Sequence, residues 1–349
     1  FSLVQENAVE VFDIIEKSNQ ISQINEGGLK PASCQGLIKF KDVTFIDPLN
    51  QEKVLLNQVS FDIRPNEKTI FVDRSGCENT TCMQLIERFY DLPSQENGSI
   101  TLDGNELKDL NLGWLRENIG YVGQEPVLFE FSIRENLLIG RENATDEEIW
   151  VVLKKVNAHD FVQSLPDKLE TLIGNSGVSL TVDQKQRLEI ARTILKNPTI
   201  LLLDNVLNGL DRNIEIEIQN ILDEISKERT TIEISQRLST VMNADHIIVF
   251  DQGKVVKEGK HEELITNQGK YYKLQNSLVQ AQENDKKEPQ TRVFRQSRPR
   301  RSEIRQRSEL EIQEIQVEVQ NKQKTGIIVL LRRLLESHRK DGNSLLILG

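Results

Sequence analysis

The chain has 349 residues, of which 37% are hydrophobic and 28% are charged, enough for one large α/β domain with appended segments. Its formal net charge of −10 argues against a general affinity for nucleic acid, so no nucleic-acid partner is expected. Three cysteines and four histidines are scattered without ligand spacing, which argues against a zinc site and favours a reducing compartment. No apolar run reaches the 18 or so residues that cross a bilayer.

Composition and apolar spacing distinguish three segments over residues 1–324. Residues 1–20 carry apolar positions at mostly helical spacing, and residues 37–280 alternate strand-like with helix-like stretches, which favours a mostly parallel α/β core. Residues 281–324 are rich in Glu, Gln, Arg and Ser with few aromatics, which predicts a disordered charged linker. In that linker Ser302 and Ser308 follow arginines and are candidate kinase sites.

A strand, a tight loop and a helix are predicted in series near residue 75. Residues 69–72 are typical of a short buried strand, and residues 81–91 have helical spacing of apolar residues. A phosphate-binding loop reads G-x-x-x-x-G-K-[ST], and its lysine neutralises phosphate charge. Here Asp73 and Glu78 occupy the glycine positions and Asn79 occupies the lysine position. The sequence therefore predicts a nucleotide-site framework that lacks its usual cation.

A second apolar run, Ile200–Asp204, has the form of a buried parallel strand that presents a carboxylate at its C-terminal end. With this strand the chain resembles the nucleotide-binding domain of an ABC transporter of the multidrug-resistance (B subfamily, P-glycoprotein-like) type. The resemblance covers roughly residues 1–280. The segments that carry it include Gly36–Phe45, Arg88–Asp91, Leu102–Gly104, Trp114–Arg116, Ile119–Phe129, Val156–Phe161, Gln184–Arg187, Ile190–Arg192, Arg237–Thr240 and Ala244–Asp245.

The resemblance implies a P-loop NTPase (RecA-like) core with a mostly parallel sheet, an antiparallel β subdomain and a helical subdomain over roughly 125–190. It also implies that ATP with Mg²⁺ lies between two nucleotide-binding domains packed head to tail, each attached to a transmembrane domain. The nucleotide positions, if retained, are Ser75, Gly76, Cys77, Asn79, Thr80, Thr81, Gln124 and Asp204. The Mg²⁺ positions among them are Thr80, Gln124 and Asp204, and the signature and D-loop positions are Leu180, Thr181, Val182, Asp183, Gln184 and Asp211.

Several of these positions depart from the family pattern. Asn205 stands where the family has its catalytic glutamate, and an amide cannot take a proton from water. Gln236 stands where the family has the H-loop histidine. Val182 and Asp183 replace the two signature glycines, although Asp183 also suits the N-terminus of a helix. The adenine-stacking position falls at Asp47, while strand alternation turns the nearby Phe45 toward the core.

The resemblance also places the chain in a larger protein. Residues 1–20 resemble the cytosolic end of a transmembrane helix, and residues 325–349 resemble the interfacial entry helix of a second transmembrane domain. The chain is therefore expected to be an internal piece of a two-half membrane transporter, on the cytosolic side.

The sequence leaves three alternative functions for this chain. The first is a degenerate nucleotide-binding domain that binds ATP weakly or not at all, does not hydrolyse it, and acts as structural or regulatory partner of a second domain. The second is a working ATPase domain of an exporter, completed by that partner. The third is a scaffold whose Arg-rich linker binds a kinase or an acidic partner.

Overall fold

The computed structural model describes residues 27–73, 77–174, 177–235, 237–266 and 271. Within them the strands are β1 Ile38–Asp47, β2 Asn50–Ile63, β3 Lys68–Val72, β4 Ser99–Leu102, β5 Asn105–Glu106, β6 Ile119–Val122, β7 Ile200–Asp204, β8 Thr230–Ile234, β9 His246–Asp251 and β10 Lys254–Gly259. The α-helices are α1 Cys77–Ile86, α2 Leu112–Asn118, α3 Ile133–Leu138, α4 Asp146–Lys155, α5 His159–Ser164, α6 Val182–Lys196, α7 Arg212–Ser226, α8 Leu238–Met242 and α9 His261–Thr266.

The larger sheet has six strands in the order β10-β9-β3-β8-β7-β6. Strand β3 pairs in parallel with β8 and β9, and β7 pairs in parallel with β6 and β8. Only β10 runs antiparallel to its neighbour in this sheet. The central strands are apolar and buried along their length, as expected for a parallel sheet covered on both faces.

The smaller sheet has four antiparallel strands in the order β2-β1-β4-β5. Its inward-facing side chains share one hydrophobic cluster with α1 and with the six-stranded sheet, so the two sheets are joined by packing. Phe40, Phe61, Phe71 and Phe250 form the aromatic centre of that cluster. Aromatic side chains bury large areas, which makes this cluster a main source of stability.

Helices α3 to α6 form a helical region between β6 and β7, and they pack on a second hydrophobic cluster. Three of these helices begin with a capping box, formed by Ser132 with Glu135, Thr145 with Glu148, and Thr181 with Gln184. A capping box satisfies two backbone N–H groups that the first turn of a helix leaves without partners. Their starts are thus fixed by local side chains.

Helix α1 is displaced from its predicted position. Apolar spacing predicted a helix over 81–91, but the helix spans Cys77–Ile86, and Arg88 adopts a left-handed backbone with φ of 56°. The helix ends before this left-handed residue. The Arg88 side chain contacts Asp91, with its Nε 2.9 Å from an Asp91 oxygen. The predicted strand at 69–72 and the predicted strand Ile200–Asp204 are both present.

Candidate functional site

The residues predicted to handle nucleotide lie where parallel strands end. Asp73 follows β3 and Asn205 follows β7, while Ser235, the neighbour of the predicted Gln236, follows β8. Gln124 lies two residues after the end of β6. Because parallel strands run in one direction, their carboxyl ends share one edge of the sheet, the usual place for ligands in open α/β folds. Three of the predicted residues, Ser75, Gly76 and Gln236, lie outside the described residues.

The start of α1 carries the residues of the phosphate-loop position. Asn79 is 1% exposed, and its side-chain oxygen has no hydrogen-bond partner within the described part of the chain. Thr81 is also buried, whereas Thr80 is half-buried. Cys77 is the first residue of the helix. The side chain at the lysine position is therefore a buried acceptor rather than a cation.

Glu78, at the second glycine position of the loop pattern, has a hydrogen-bonded side chain. Its carboxylate is buried and accepts a hydrogen bond of 3.0 Å from the backbone N–H of Gly253, in the turn between β9 and β10. A buried carboxylate needs hydrogen-bond donors, and the Gly253 amide supplies one to Glu78.

Asp204, at the end of β7, has donors on both carboxylate oxygens. The amide of Asn205 lies 3.1 Å from Oδ1, and the hydroxyl of Tyr121 lies 3.4 Å from Oδ2. Burial raises the pKa of Asp204, and these two hydrogen bonds oppose that rise. Tyr121 comes next to this carboxylate because β6 pairs with β7, and its pKa is raised by burial and by Asp204.

Asn205 adopts a left-handed backbone with φ of 48°. Its backbone N–H donates to the carbonyl of Ile234 at 3.1 Å, which links the ends of β7 and β8. Asparagine tolerates the left-handed region better than most residues. Asparagine at the catalytic-glutamate position is thus compatible with the left-handed backbone there and donates a hydrogen bond to Asp204.

Two further carboxylates near this edge were not predicted from sequence. Burial raises the pKa of Glu87 to about 7, although Arg116 and Lys196 oppose the rise. Burial also raises the pKa of Glu189 to about 7, against Arg192 and the backbone N–H groups of Val127 and Gly123. Glu189 lies on the buried face of α6 and Glu87 lies one residue past the end of α1, so a glutamate among apolar residues was the signal in the sequence. Gln124 itself is exposed.

The signature residues form the start of α6. Thr181 is the N-cap, its hydroxyl accepts from the N–H of Gln184, and the Gln184 side chain accepts from the N–H of Thr181 at 3.1 Å. Asp183, predicted to suit the N-terminus of this helix, lies in its first turn, where the carboxylate accepts from the Thr181 hydroxyl. Val182 is 58% exposed and Leu180 is buried.

The remaining candidates lie at the start of α7 and in strand β1. Asp211 is exposed and is the N-cap residue of α7, without a side-chain capping bond. Asp47 ends β1 and accepts from the N–H of Leu49 at 3.0 Å, so its side chain stabilises the hairpin. Phe45 is buried and lies 5.6 Å from the ring of Tyr90, which confirms the prediction that Phe45 faces the core.

Within the ranges described, no group of three or more His, Cys, Asp or Glu side chains is arranged to hold a metal ion. Any Mg²⁺ would therefore depend on the mixed set of Thr80, Gln124 and Asp204, together with a bound phosphate. The same ranges contain no helix with the length and apolar character needed to cross a bilayer.

Comparison with known proteins decides the family. Residues 56–208 match the family model described as "ABC transporter". The chain contains an ABC transporter ATP-binding domain. Its fold agrees with this, because it matches a solved structure of a bacterial Atm1-family ABC exporter with ATP bound, at a TM-score of 0.70 and 31% identity. That match covers 77% of this chain and 46% of the exporter chain, and it confirms the predicted P-loop NTPase fold class.

Relatives of this ATP-binding domain include B-family and multidrug-resistance proteins. Multidrug resistance protein 3 and Multidrug resistance protein 1 of Entamoeba histolytica are 36% and 38% identical, each over 97% of this chain. ABC transporter B family member 4 of Dictyostelium discoideum is 44% identical over 77% of it. The chain spans only 27%, 25% and 35% of the lengths of these three relatives, respectively.

Proposed function

We propose that residues 37–280 are the first nucleotide-binding domain of a B-type ABC exporter, with weak or absent ATP binding and no ATP hydrolysis. In this role the domain acts as structural or regulatory partner of a second nucleotide-binding domain. The observation that carries the proposal is Asn79, a buried acceptor with no hydrogen-bond partner among the described residues, at the position where a phosphate needs an ammonium group.

The phosphate side of the site is weakened first by the missing charge. Loss of the lysine removes a charge-assisted contact of about 1.5–3 kcal/mol. A carboxylate such as Asp73, if about 6 Å from a phosphate at an effective dielectric of 20, adds a repulsion of roughly 3 kcal/mol before solvent screening. With that discount the two effects weaken binding by about 3–5 kcal/mol, on the order of a hundredfold to several thousandfold. Glu78 occupies the second glycine position, where its carboxylate accepts a hydrogen bond from the Gly253 N–H.

The hydrolytic side lacks a proton acceptor. Asn205 cannot act as a base, and its amide donates to Asp204. A Mg²⁺ ion at Asp204 would have to displace the donors from Asn205 and Tyr121. ATP with Mg²⁺ therefore does not fit these residues as they stand, and no hydrolytic step is assigned to them.

The partner domain cannot restore both composite sites. In the family each site combines the phosphate loop of one domain with the signature loop of the other. Here Asn79 alters the first element, while Val182 and Asp183 alter the second. Each of the two sites would thus contain one altered element from this domain.

The relatives support the wider setting. Because they are named multidrug-resistance and B-family transporters, and the solved match is an exporter, we assign the domain to the cytosolic side of a membrane, attached to transmembrane domains. The expected segments 1–20, 281–324 and 325–349, and the candidate kinase sites Ser302 and Ser308, lie outside the described residues and belong to this proposal.

Isothermal titration calorimetry of the full chain with Mg-ATP at millimolar nucleotide tests the proposal. We expect no saturable heat above that of a buffer control, and no phosphate release. Tight, magnesium-dependent binding with turnover would refute the proposal and favour a working ATPase domain completed by its partner.

A further inference from the structure

One long-range hydrogen bond joins the first turn of α1 to the turn between β9 and β10. The Glu78 carboxylate and the Gly253 N–H are 3.0 Å apart, buried, and separated by 175 positions in the chain. A buried hydrogen bond to a charged acceptor is stronger than an exposed one and costly to break.

The turn that receives Glu78 is itself well defined. Asp251 pairs with Lys254 across the β9–β10 hairpin, and the two residues between them, Gln252 and Gly253, have φ of 53° and 74°. Two consecutive positive φ values are the mark of a type I′ hairpin turn, which strongly favours glycine at its second central position. The Gly253 N–H is therefore presented in a fixed direction.

The same glycine also contacts the antiparallel sheet. Its carbonyl accepts from the N–H of Asn57 on β2 at 2.7 Å, and a Cβ added to it would lie 3.1 Å from the carbonyl oxygen of Leu55. Gly253 thus joins α1 on its N–H side to β2 on its carbonyl side. Elements of both sheets meet at one residue.

The buried Cys82 lies near the Glu78 carboxylate. Burial raises the pKa of the Cys82 thiol well above its usual value, and the charges of Glu78 and Asp73 raise it further. Cys82 lies one turn after Glu78 and belongs to the core cluster shared by both sheets. The Glu78 side chain therefore lies on the core side of α1.

We propose that Glu78 is a structural latch, which holds the first turn of α1 against the β9–β10 turn whether or not a nucleotide is present. A glycine at this position, as the phosphate-loop pattern requires, has no side chain with which to make the contact. The latch thus gives a phosphate-loop position a purely conformational role. It stands independently of the proposed loss of ATP binding.

Site-resolved hydrogen exchange of the full chain, read by mass spectrometry with electron-transfer fragmentation, tests the latch. In Glu78→Ala, exchange of the Gly253 amide should become about 10- to 100-fold faster, as expected for loss of a buried hydrogen bond to a charged acceptor. In Glu78→Gln, whose side-chain oxygen still accepts, it should stay within about threefold of the parent chain. The matched control is Glu147→Ala, which removes an exposed glutamate from the first turn of α4.

The latch is overturned if Gly253 exchange in Glu78→Ala is unchanged, or if it accelerates no more than exchange in strand β7, because the effect would then be a general loss of stability. A titration of Glu78→Ala with Mg-ATP separates this result from the proposed function. Faster Gly253 exchange supports the latch whether that titration shows binding or not, whereas ATP binding bears only on the proposed function.

Discussion

Side chains within the central strands of the six-stranded sheet have different surroundings from side chains beyond the ends of those strands. Leu201, Leu202 and Leu203 in β7 are fully buried in apolar surroundings, and Lys68 in β3 is paired with acids. Asn205, the residue after β7, and Glu78, in the first turn of α1, make hydrogen bonds within the protein. The strands that frame an ATP site are therefore present, whereas side chains at the edge of that site make hydrogen bonds within the protein.

Loss of the buried ion pair should be the most damaging change. The Lys68 ammonium lies 2.8 Å from Glu233 and 2.9 Å from Asp223. Burial tends to lower the pKa of Lys68, but these acids outweigh it and raise the pKa. Lys68→Met leaves Glu233 buried without its cation, so the free energy of unfolding should fall by about 3–5 kcal/mol, measured by urea denaturation.

The control for this variant is Lys39→Met, which removes a lysine from an exposed pair with Asp62. It should lower the free energy of unfolding by less than about 1 kcal/mol. Equal losses in the two variants would show that the buried framework is no more sensitive than the surface.

Restoring the missing cation should affect binding without restoring chemistry. Asn79→Lys supplies a charge-assisted contact to phosphate, so Mg-ATP affinity should rise by about 1.5–3 kcal/mol, roughly 10- to 100-fold. Hydrolysis should stay at background because Asn205 remains. Calorimetry and a phosphate-release assay measure the two effects, with Asn79→Gln as the uncharged control, and measurable turnover in Asn79→Lys would count against our account.

Stability should fall as pH rises through the range in which Glu87 titrates. Burial raises its folded-state pKa from 4.5 to about 7, so the folded protein holds this proton where the unfolded chain releases it. Its contribution is complete below pH 4.5 and is lost as pH rises toward and past 7. Between pH 5 and 8 this amounts to about 1–2 kcal/mol after a discount for partial exposure.

Glu87→Gln should therefore flatten the decline in unfolding free energy between pH 5 and 8, measured by urea titrations at several pH values. The control is Glu96→Gln, which removes an exposed glutamate. If Glu87→Gln keeps the parent slope, the buried environment assigned to Glu87 is incorrect.

The signature helix should show the smallest effect. Thr181→Ala removes the N-cap hydroxyl of α6 and should lower the unfolding free energy by about 1 kcal/mol. Thr145→Ala removes the equivalent hydroxyl from the capping box of α4 and should cost a similar amount. A much larger loss at Thr181 would mean that this residue does more than cap its helix.

Much of the framework could be predicted because it depends on local patterns. The apolar run Ile200–Asp204 is a strand with the predicted bounds, and strand alternation correctly turned Phe45 inward. The capping box of Thr181 and Gln184 also has a sequence signature, a threonine followed three residues later by glutamine. The sequence prediction named Asp183 at this helix start and did not name the capping box.

The details of the site depend on contacts that sequence order does not show. Glu78 meets Gly253 only because α1 and the β9–β10 turn come together in the fold, and Tyr121 reaches Asp204 only through the pairing of β6 with β7. The end of α1 was also misplaced, since apolar spacing continued past Ile86 while the backbone turned at Arg88. Comparison with the family motifs therefore identifies the residues that differ, but it does not show what those residues contact.

A crystal of this chain soaked with millimolar Mg-ATP tests the central claim most directly. Our account predicts no ordered triphosphate at residues 73–81, with the Glu78 carboxylate still bonded to Gly253. A fully ordered triphosphate bound by the backbone of those residues, with Mg²⁺ at Thr80 and Asp204, would contradict it.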